Sequence, residues 1–200
     1  MKNRMITFVS PGKVAIVETE MRSEEIGPHQ VLVQSLYTAV SPGTELACLS
    51  GTEAWYQFPG VPGYCNAGRI AGVGSAVGGW NVGDVVLSYA AHRQYNIVDD
   101  SSFLLKIPDT VDLKLAPLTR LATVAFTAVR VSDIELGDDV AVVGLGPVGN
   151  LAAQLAALQG ARVMGIEPVR MRSDVAQSCA IRLTIDPSKE DVVCRVKELT

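Results

Sequence analysis

The chain has 200 residues, enough for one large domain or two small ones, and 48% of them are hydrophobic, which supports a packed core and excludes a disordered chain. Seventeen basic and 21 acidic side chains give a formal charge of −4, without the basic excess that nucleic acid or an anionic membrane surface would require. No apolar run reaches the roughly 18 residues of a membrane span, MKNRMITF lacks a secretory apolar stretch, and Cys48, Cys65, Cys179 and Cys194 show no C-x-x-C spacing, so a cytoplasmic protein with reduced thiols is expected.

Residues 1 to about 115 read as β-rich. Val14–Val17, Val31–Val40, Arg69–Val73 and Val85–Tyr89 are candidate strands bounded by Gly, Pro and polar turns. Eight glycines between Gly60 and Gly83 suit a tightly turned barrel rather than helices. The pattern then turns helical over Asp109–Thr127, with Leu113, Ala116, Pro117, Leu121, Val124 and Ala125, and Ile134–Asp139 leads into the next strand. The expected domains are 1–125 and 126–200.

From Val140 the period becomes βαβαβα. Val140–Val143 is a short apolar run suited to a strand buried on both faces. Gly144, Gly146 and Gly149 follow in the spacing G-x-G-x-x-G, with Leu145, Pro147 and Val148 between them. In this spacing the first glycine permits a sharp turn, the second lets backbone approach a pyrophosphate, and the third lets helix and strand pack closely. Pro147 suits the first helical turn. Val148, Leu151, Ala152 and Leu155 recur at helical spacing until Gly160. A second strand, Ala161–Ile166, ends on Glu167, close to the expected 20 or so residues beyond the glycines, where a carboxylate accepts the ribose hydroxyls of an adenosine. The motif therefore predicts a dinucleotide site. Glu167 favours NAD, because it would repel a 2′-phosphate; Arg170 and Arg172 keep NADP open. A helix after Pro168, a third strand at Arg182–Ile185 and a last helix capped by Ser188 complete the pattern. Three strands are half of the six in a doubly wound dinucleotide sheet. The expectation is a fragment of a longer chain, or a subunit contact that pairs the Val140–Val143 edge.

A β-rich front followed by LGDDVAVVGLGPVGNLAAQLA resembles the medium-chain dehydrogenase/reductase superfamily, the zinc-type alcohol dehydrogenase-like proteins, over nearly the whole chain. The turn Val82–Leu87 and the segment Ala91–Val98 also resemble the family pattern. The resemblance implies an α/β chain: a GroES-like barrel, then the first half of a Rossmann doubly wound sheet. Where the family keeps a metal-binding cysteine in C-G-[ST]-D, this chain has Pro42-Gly43-Thr44-Glu45; where it keeps G-H-E, the chain has Gly63-Tyr64-Cys65; and Arg120 stands near the third ligand. Proline and arginine cannot ligate zinc and tyrosine rarely does, and the four-cysteine structural zinc lobe is missing. No zinc is expected. The pattern resembles the zinc-lacking members, threonine dehydrogenase-like and bacteriochlorophyllide dehydrogenase-like.

The implied chemistry is hydride transfer between a nicotinamide and an alcohol/carbonyl or enone substrate, with protein donors polarising the substrate oxygen in place of zinc. Thr44 stands where the family keeps a proton-relaying hydroxyl, the alternative being a turn hydroxyl that caps the following helix. Tyr64 replaces the zinc histidine; a phenol is an acid at neutral pH, so it would donate to a carbonyl oxygen or merely fill space. Arg120 binds an anionic group or stabilises an alkoxide, the alternative being an ion pair with Glu45. His92 and His29 read as surface or turn residues, Cys65 as an inert thiol, and Trp55, Tyr56 and Phe58 as an apolar wall or a loop cluster. Expected partners are a small-molecule substrate and further copies of the chain, with no nucleic acid and no membrane. The competing reading is a truncated, non-catalytic relative that binds nucleotide as a sensor or scaffold.

Overall fold

A computed structural model describes residues 1–22 and 25–200. The chain divides into two compact units, Met1–Thr119 and Arg120–Thr200. No helix among the described residues is long and apolar enough to cross a membrane.

The first unit opens with a hairpin of β1 (Lys2–Ser10) and β2 (Lys13–Glu20), paired antiparallel. A five-stranded antiparallel sheet follows, built from β3 (Gln30–Thr38), β4 (Asn66–Val73), β5 (Val85–Ser88), β6 (Tyr95–Asp99) and β7 (Leu104–Lys106) in the order β6-β3-β4-β5-β7. Period-two alternation gives the sheet two buried faces. Val31, Val33, Ile70 and Val86 pack on one, and Ala67, Leu87, Ile107 and Ala116 on the other. The strands also bury polar groups in pairs: Asn66 Nδ2 donates to Ser35 Oγ at 2.6 Å, and Ser88 Oγ donates to Asn66 Oδ1 at 3.3 Å. Helix α1 (Pro42–Ser50) lies between β3 and β4 in the chain, with proline in its first turn and Gly51 closing it at φ +79°.

The expected helix over Asp109–Thr127 begins later. The Asp112 carbonyl accepts from the N–H groups of Leu115 and Ala116, and its carboxylate from that of Lys114, so these residues form turns. A 3-10 turn, Ala116–Leu118, carries Pro117, and α2 runs Thr119–Val131.

The second unit alternates strand and helix: β8 (Asp139–Val143), α3 (Pro147–Leu158), β9 (Arg162–Ile166), α4 (Arg170–Ser178), β10 (Leu183–Ile185) and α5 (Val192–Leu199). The strands are parallel and ordered β10-β9-β8, the 3-2-1 half of a doubly wound sheet. Leu145, Ala153, Ala156, Val163, Ala176 and Ile181 form its core. β8 lies at the edge, pairing with β9 on one side, and Val143 is 80% exposed. The expected Ser188 cap is corrected: Ser188 turns its hydroxyl to Asp186, and Asp191 caps α5 by accepting from Cys194 N at 2.9 Å. An aspartate three residues before the donating N–H satisfies an orphan donor of the first turn, which Ser188 lies too far upstream to reach.

Candidate functional site

The glycine turn forms in the setting its sequence requires. Gly144 follows β8 at φ +84°, a left-handed conformation that a side chain would strain, and its N–H donates to Ile166 O at 2.8 Å. Gly149 has no room for a Cβ, which would collide with the Gly144 carbonyl. Gly146 differs from both. It is extended, at φ −64° and ψ −177°, and a Cβ there would meet nothing within 4 Å. The turn thus presents open space at its second glycine, at the start of α3, whose first turn carries Pro147 and Val148 and has no side-chain cap. Open backbone at a helix N-terminus is a setting that favours an anion. Leu145, between the glycines, is 2% exposed and belongs to the core.

Glu167 ends β9 as expected, but its carboxylate is buried at 2% exposure. Oε2 accepts from Leu145 N at 2.8 Å, and Oε1 from Val169 N at 2.9 Å. The side chain therefore ties the glycine turn to the end of β9. Arg172 approaches Oε2 at 3.7 Å, whereas Arg170 is exposed and faces Asp174 at 3.7 Å. Burial pushes the Glu167 carboxyl up, but the Val169 and Leu145 N–H donors and the Arg172 guanidinium outweigh it and hold the group below the ordinary glutamate value. A depressed carboxylate contributes stability that is present above the unfolded pKa and is lost as pH falls through the folded one. Glu167→Gln is therefore expected to lower stability at pH 7 by about 1–3 kcal/mol, since one buried N–H loses its acceptor. The gap between variant and parent closes as pH drops below about 4. Thermal unfolding of both chains from pH 7 to pH 3 measures this; a gap that stays constant with pH would refute it.

In the first unit the structure brings Thr44 and Tyr64 together. Thr44 lies in the first turn of α1 and Tyr64 just before β4, and Tyr64 Oη donates to Thr44 Oγ1 at 3.3 Å. Thr44 is thus not a helix cap; Ser41 holds the N-cap position. Both hydroxyls line a cavity of about 250 Å³ together with Glu45, Cys48, Trp55 and Tyr56. Trp55, Tyr56 and Phe58 form an edge-to-face cluster with centroid distances of 5.9 and 5.3 Å, so two of the three expected wall residues line the cavity and the third supports them. Burial pushes the Tyr56 phenol up, helped by Cys48 and Glu45, and burial pushes the Cys48 thiol up in the same way. Arg120 opens the second unit, in the first turn of α2.

His92 is a correction to the sequence reading. Its side chain is 3% exposed, and Nε2 lies 3.0 Å from Glu45 Oε2, while Glu45 Oε1 accepts from Ser41 N at 2.8 Å. The Glu45 carboxylate is thus bonded to His92 and Ser41. A signal for this existed in Glu45 itself: an acid on the apolar side of a short helix, beside Cys48, needs a buried partner. His29 is exposed beside Asp100, and Cys65 is 1% exposed.

The resemblance sets Pro42, Tyr64 and Arg120 at the zinc-ligand positions, and no group of three or more His, Cys, Asp or Glu that could hold a metal occurs among the described residues. This donor set does not fit a tetrahedral zinc.

Residues 27–109 match the alcohol dehydrogenase GroES-like domain. The chain is 28% identical to D-guloside 3-dehydrogenase of Shigella flexneri, covering 98% of this chain and 63% of that protein. It is 30% identical to sorbitol dehydrogenase of Halalkalibacterium halodurans, covering 87% of this chain and 60% of that one. It therefore spans less than two thirds of the length of these relatives. The fold is shared with Escherichia coli quinone oxidoreductase in complex with NADPH, at TM-score 0.87 and 20% identity over 98% of this chain and 62% of that one. A GroES-like front unit, a 3-2-1 parallel sheet opened by a glycine turn, and this set of relatives lead to one conclusion: residues 27–109 belong to the alcohol dehydrogenase GroES-like domain, and the chain as a whole is similar to the medium-chain, zinc-type alcohol dehydrogenase-like proteins.

Proposed function

We propose that the chain serves an NAD(P)-dependent oxidoreductase that interconverts an alcohol and a carbonyl, or reduces an enone, without catalytic zinc. The observation that carries this reading is the Tyr64–Thr44 hydroxyl pair facing an aromatic-walled cavity at the positions where zinc chemistry would be set up. A nicotinamide, when bound, would supply or accept the hydride. The protein's part is the proton. Thr44 accepts from Tyr64, so its own hydroxyl proton is available to a substrate oxygen. In the reducing direction Thr44 gives that proton to the developing alkoxide and takes the Tyr64 proton in return, and the half-buried Tyr64 phenolate regains a proton from solvent; in the oxidising direction the transfers reverse. Trp55 and Tyr56 supply apolar surface that orients the substrate and excludes water.

The nucleotide reading rests on the open backbone at Gly146 and the uncapped start of α3. Glu167 supports NAD through its charge, and the exposed Arg170 and Arg172 support a 2′-phosphate. The E. coli quinone oxidoreductase is a complex with NADPH. NAD is the cofactor proposed, because the Glu167 carboxylate is kept ionised beside the turn. Calorimetric titration of the chain with NADH and with NADPH tests this. Tighter binding of NADH is the expected result; tighter binding of NADPH would reassign the pocket to NADP through Arg170 and Arg172, and no binding of either would overturn the nucleotide site.

A further inference from the structure

The relay depends on two hydroxyls carried by different segments. Thr44 rides on α1, and Tyr64 on the stretch that enters β4. At 3.3 Å their hydrogen bond is already long, so a small shift of either segment breaks it. His92 touches both segments. Its backbone N–H donates to Pro62 O at 2.8 Å, two residues before Tyr64. Its ring edge lies against Gly63 so closely that a Cβ on that glycine would come within 2.7 Å of Cγ and Cδ2. Its Nε2 donates to Glu45 Oε2 at 3.0 Å, one residue after Thr44, and Glu45 in turn holds Ser41 N at the start of α1. The His92 carbonyl accepts from Ile6 N at 3.0 Å, which anchors the residue on β1. The ring's other nitrogen, Nδ1, is buried without a hydrogen-bond partner among the described residues. Replacing the ring by an apolar side chain would leave the buried Glu45 carboxylate without its donor, so packing alone does not account for a histidine here.

We propose that His92 is a positioning residue of the Tyr64–Thr44 pair: by gripping Gly63 and Glu45 at once, it sets the spacing between the two hydroxyls. The inference rests on reading that pair as the proton relay. Glu45 is the other half of the grip, and the absence of a side chain at Gly63 is what admits the ring.

The test uses the full chain with tyrosine labelled with 13C at Cζ. Five tyrosines give few signals, and Tyr64→Phe identifies the one from Tyr64. In His92→Leu and Glu45→Ala, the Tyr64 resonance is expected to move to the position it takes in Thr44→Val, where its hydroxyl partner is removed. In His92→Gln, whose amide keeps a donor for Glu45, it should stay near the parent position. His92→Asn, too short to reach Glu45, should behave like His92→Leu and replaces it if the leucine variant does not fold. With NADH or NADPH and a panel of aldehydes, ketones and quinones, His92→Leu or His92→Asn should lose at least tenfold in kcat at unchanged nucleotide KM, and His92→Gln should recover most of it. General destabilisation would lower the melting temperature and leave the Tyr64 resonance of the folded chain in place. That outcome, or full kcat in a folded His92→Leu or His92→Asn variant, overturns the proposal. If the parent chain turns over nothing in the panel, the relay reading fails, while the resonance comparison still decides whether His92 sets the hydroxyl spacing.

Discussion

Gly146→Ala is expected to fold as the parent chain does and to bind NADH at least about tenfold more weakly, a loss of about 1.4 kcal/mol. The backbone at Gly146 is extended, and a methyl group there would meet nothing within 4 Å, so the folded chain accepts alanine. The added methyl would occupy the space through which a pyrophosphate approaches the backbone. Gly149→Ala should behave in the opposite sense. Its Cβ would be driven into the Gly144 carbonyl, and Gly144 sits between β8 and α3 at φ +84°, where it has little freedom to move away. Alanine gains about 0.5–1 kcal/mol over glycine inside a helix, but overpacking of this kind costs about 1–3 kcal/mol or more. The net result should be a lower melting temperature together with loss of binding. Thermal unfolding and calorimetric titration of the two variants, run side by side, decide the matter. Undiminished NADH binding by a folded Gly146→Ala variant would remove the pyrophosphate from this turn.

The two variants also show why the second unit was legible from sequence and parts of the first were not. The glycine turn is a local device. Gly144, Gly146 and Gly149 are each required within a few residues, so their spacing carries the geometry, and the apolar runs on either side become β8 and β9 within a residue or so of expectation. The position of Glu167 followed from the same spacing. Its orientation did not, because the Leu145 N–H that turns the carboxylate inward becomes its neighbour only once β8 and β9 pair.

The first unit hides more because its core contains polar groups. β1 was missed since Asn3 and Thr7, at 2% and 7% exposure, occupy inward positions and erase the period-two pattern. Asn3 is there to bond Tyr95, through Nδ2 to its carbonyl at 2.9 Å and through Oδ1 to its N–H at 3.0 Å, a pairing across 92 residues that no window of sequence displays. His92 is the same case. In isolation it is a histidine in a turn. Its burial is created by Gly63, which leaves room for the ring, and by Glu45, which needs a donor. Functional residues held by long-range contacts of this sort are the ones that local patterning fails to find.

The hydroxyl pair makes the other large prediction. Tyr64→Phe and Thr44→Val should each lower kcat/KM by about 100-fold or more for whichever carbonyl in a substrate panel the parent chain reduces, the scale of lost proton transfer. Nucleotide affinity should change far less than the rate, because each variant removes a single hydroxyl whose expected role is proton transfer. The double variant is the decisive member of the set. If Thr44 gives the proton and Tyr64 replaces it, the hydroxyls act in series, and removing both should cost scarcely more than removing the more important one. Independent roles would instead make the two losses multiply. A third pattern is equally readable. If Tyr64 only fills the space left by a zinc-ligating histidine, Tyr64→Phe retains full activity while Thr44→Val does not, and the proton must then reach Thr44 by another route. Steady-state kinetics on the four chains separate these cases. Because Tyr64→Phe removes a single oxygen from a half-buried ring, a large loss of rate in a folded variant would come from chemistry and not from packing.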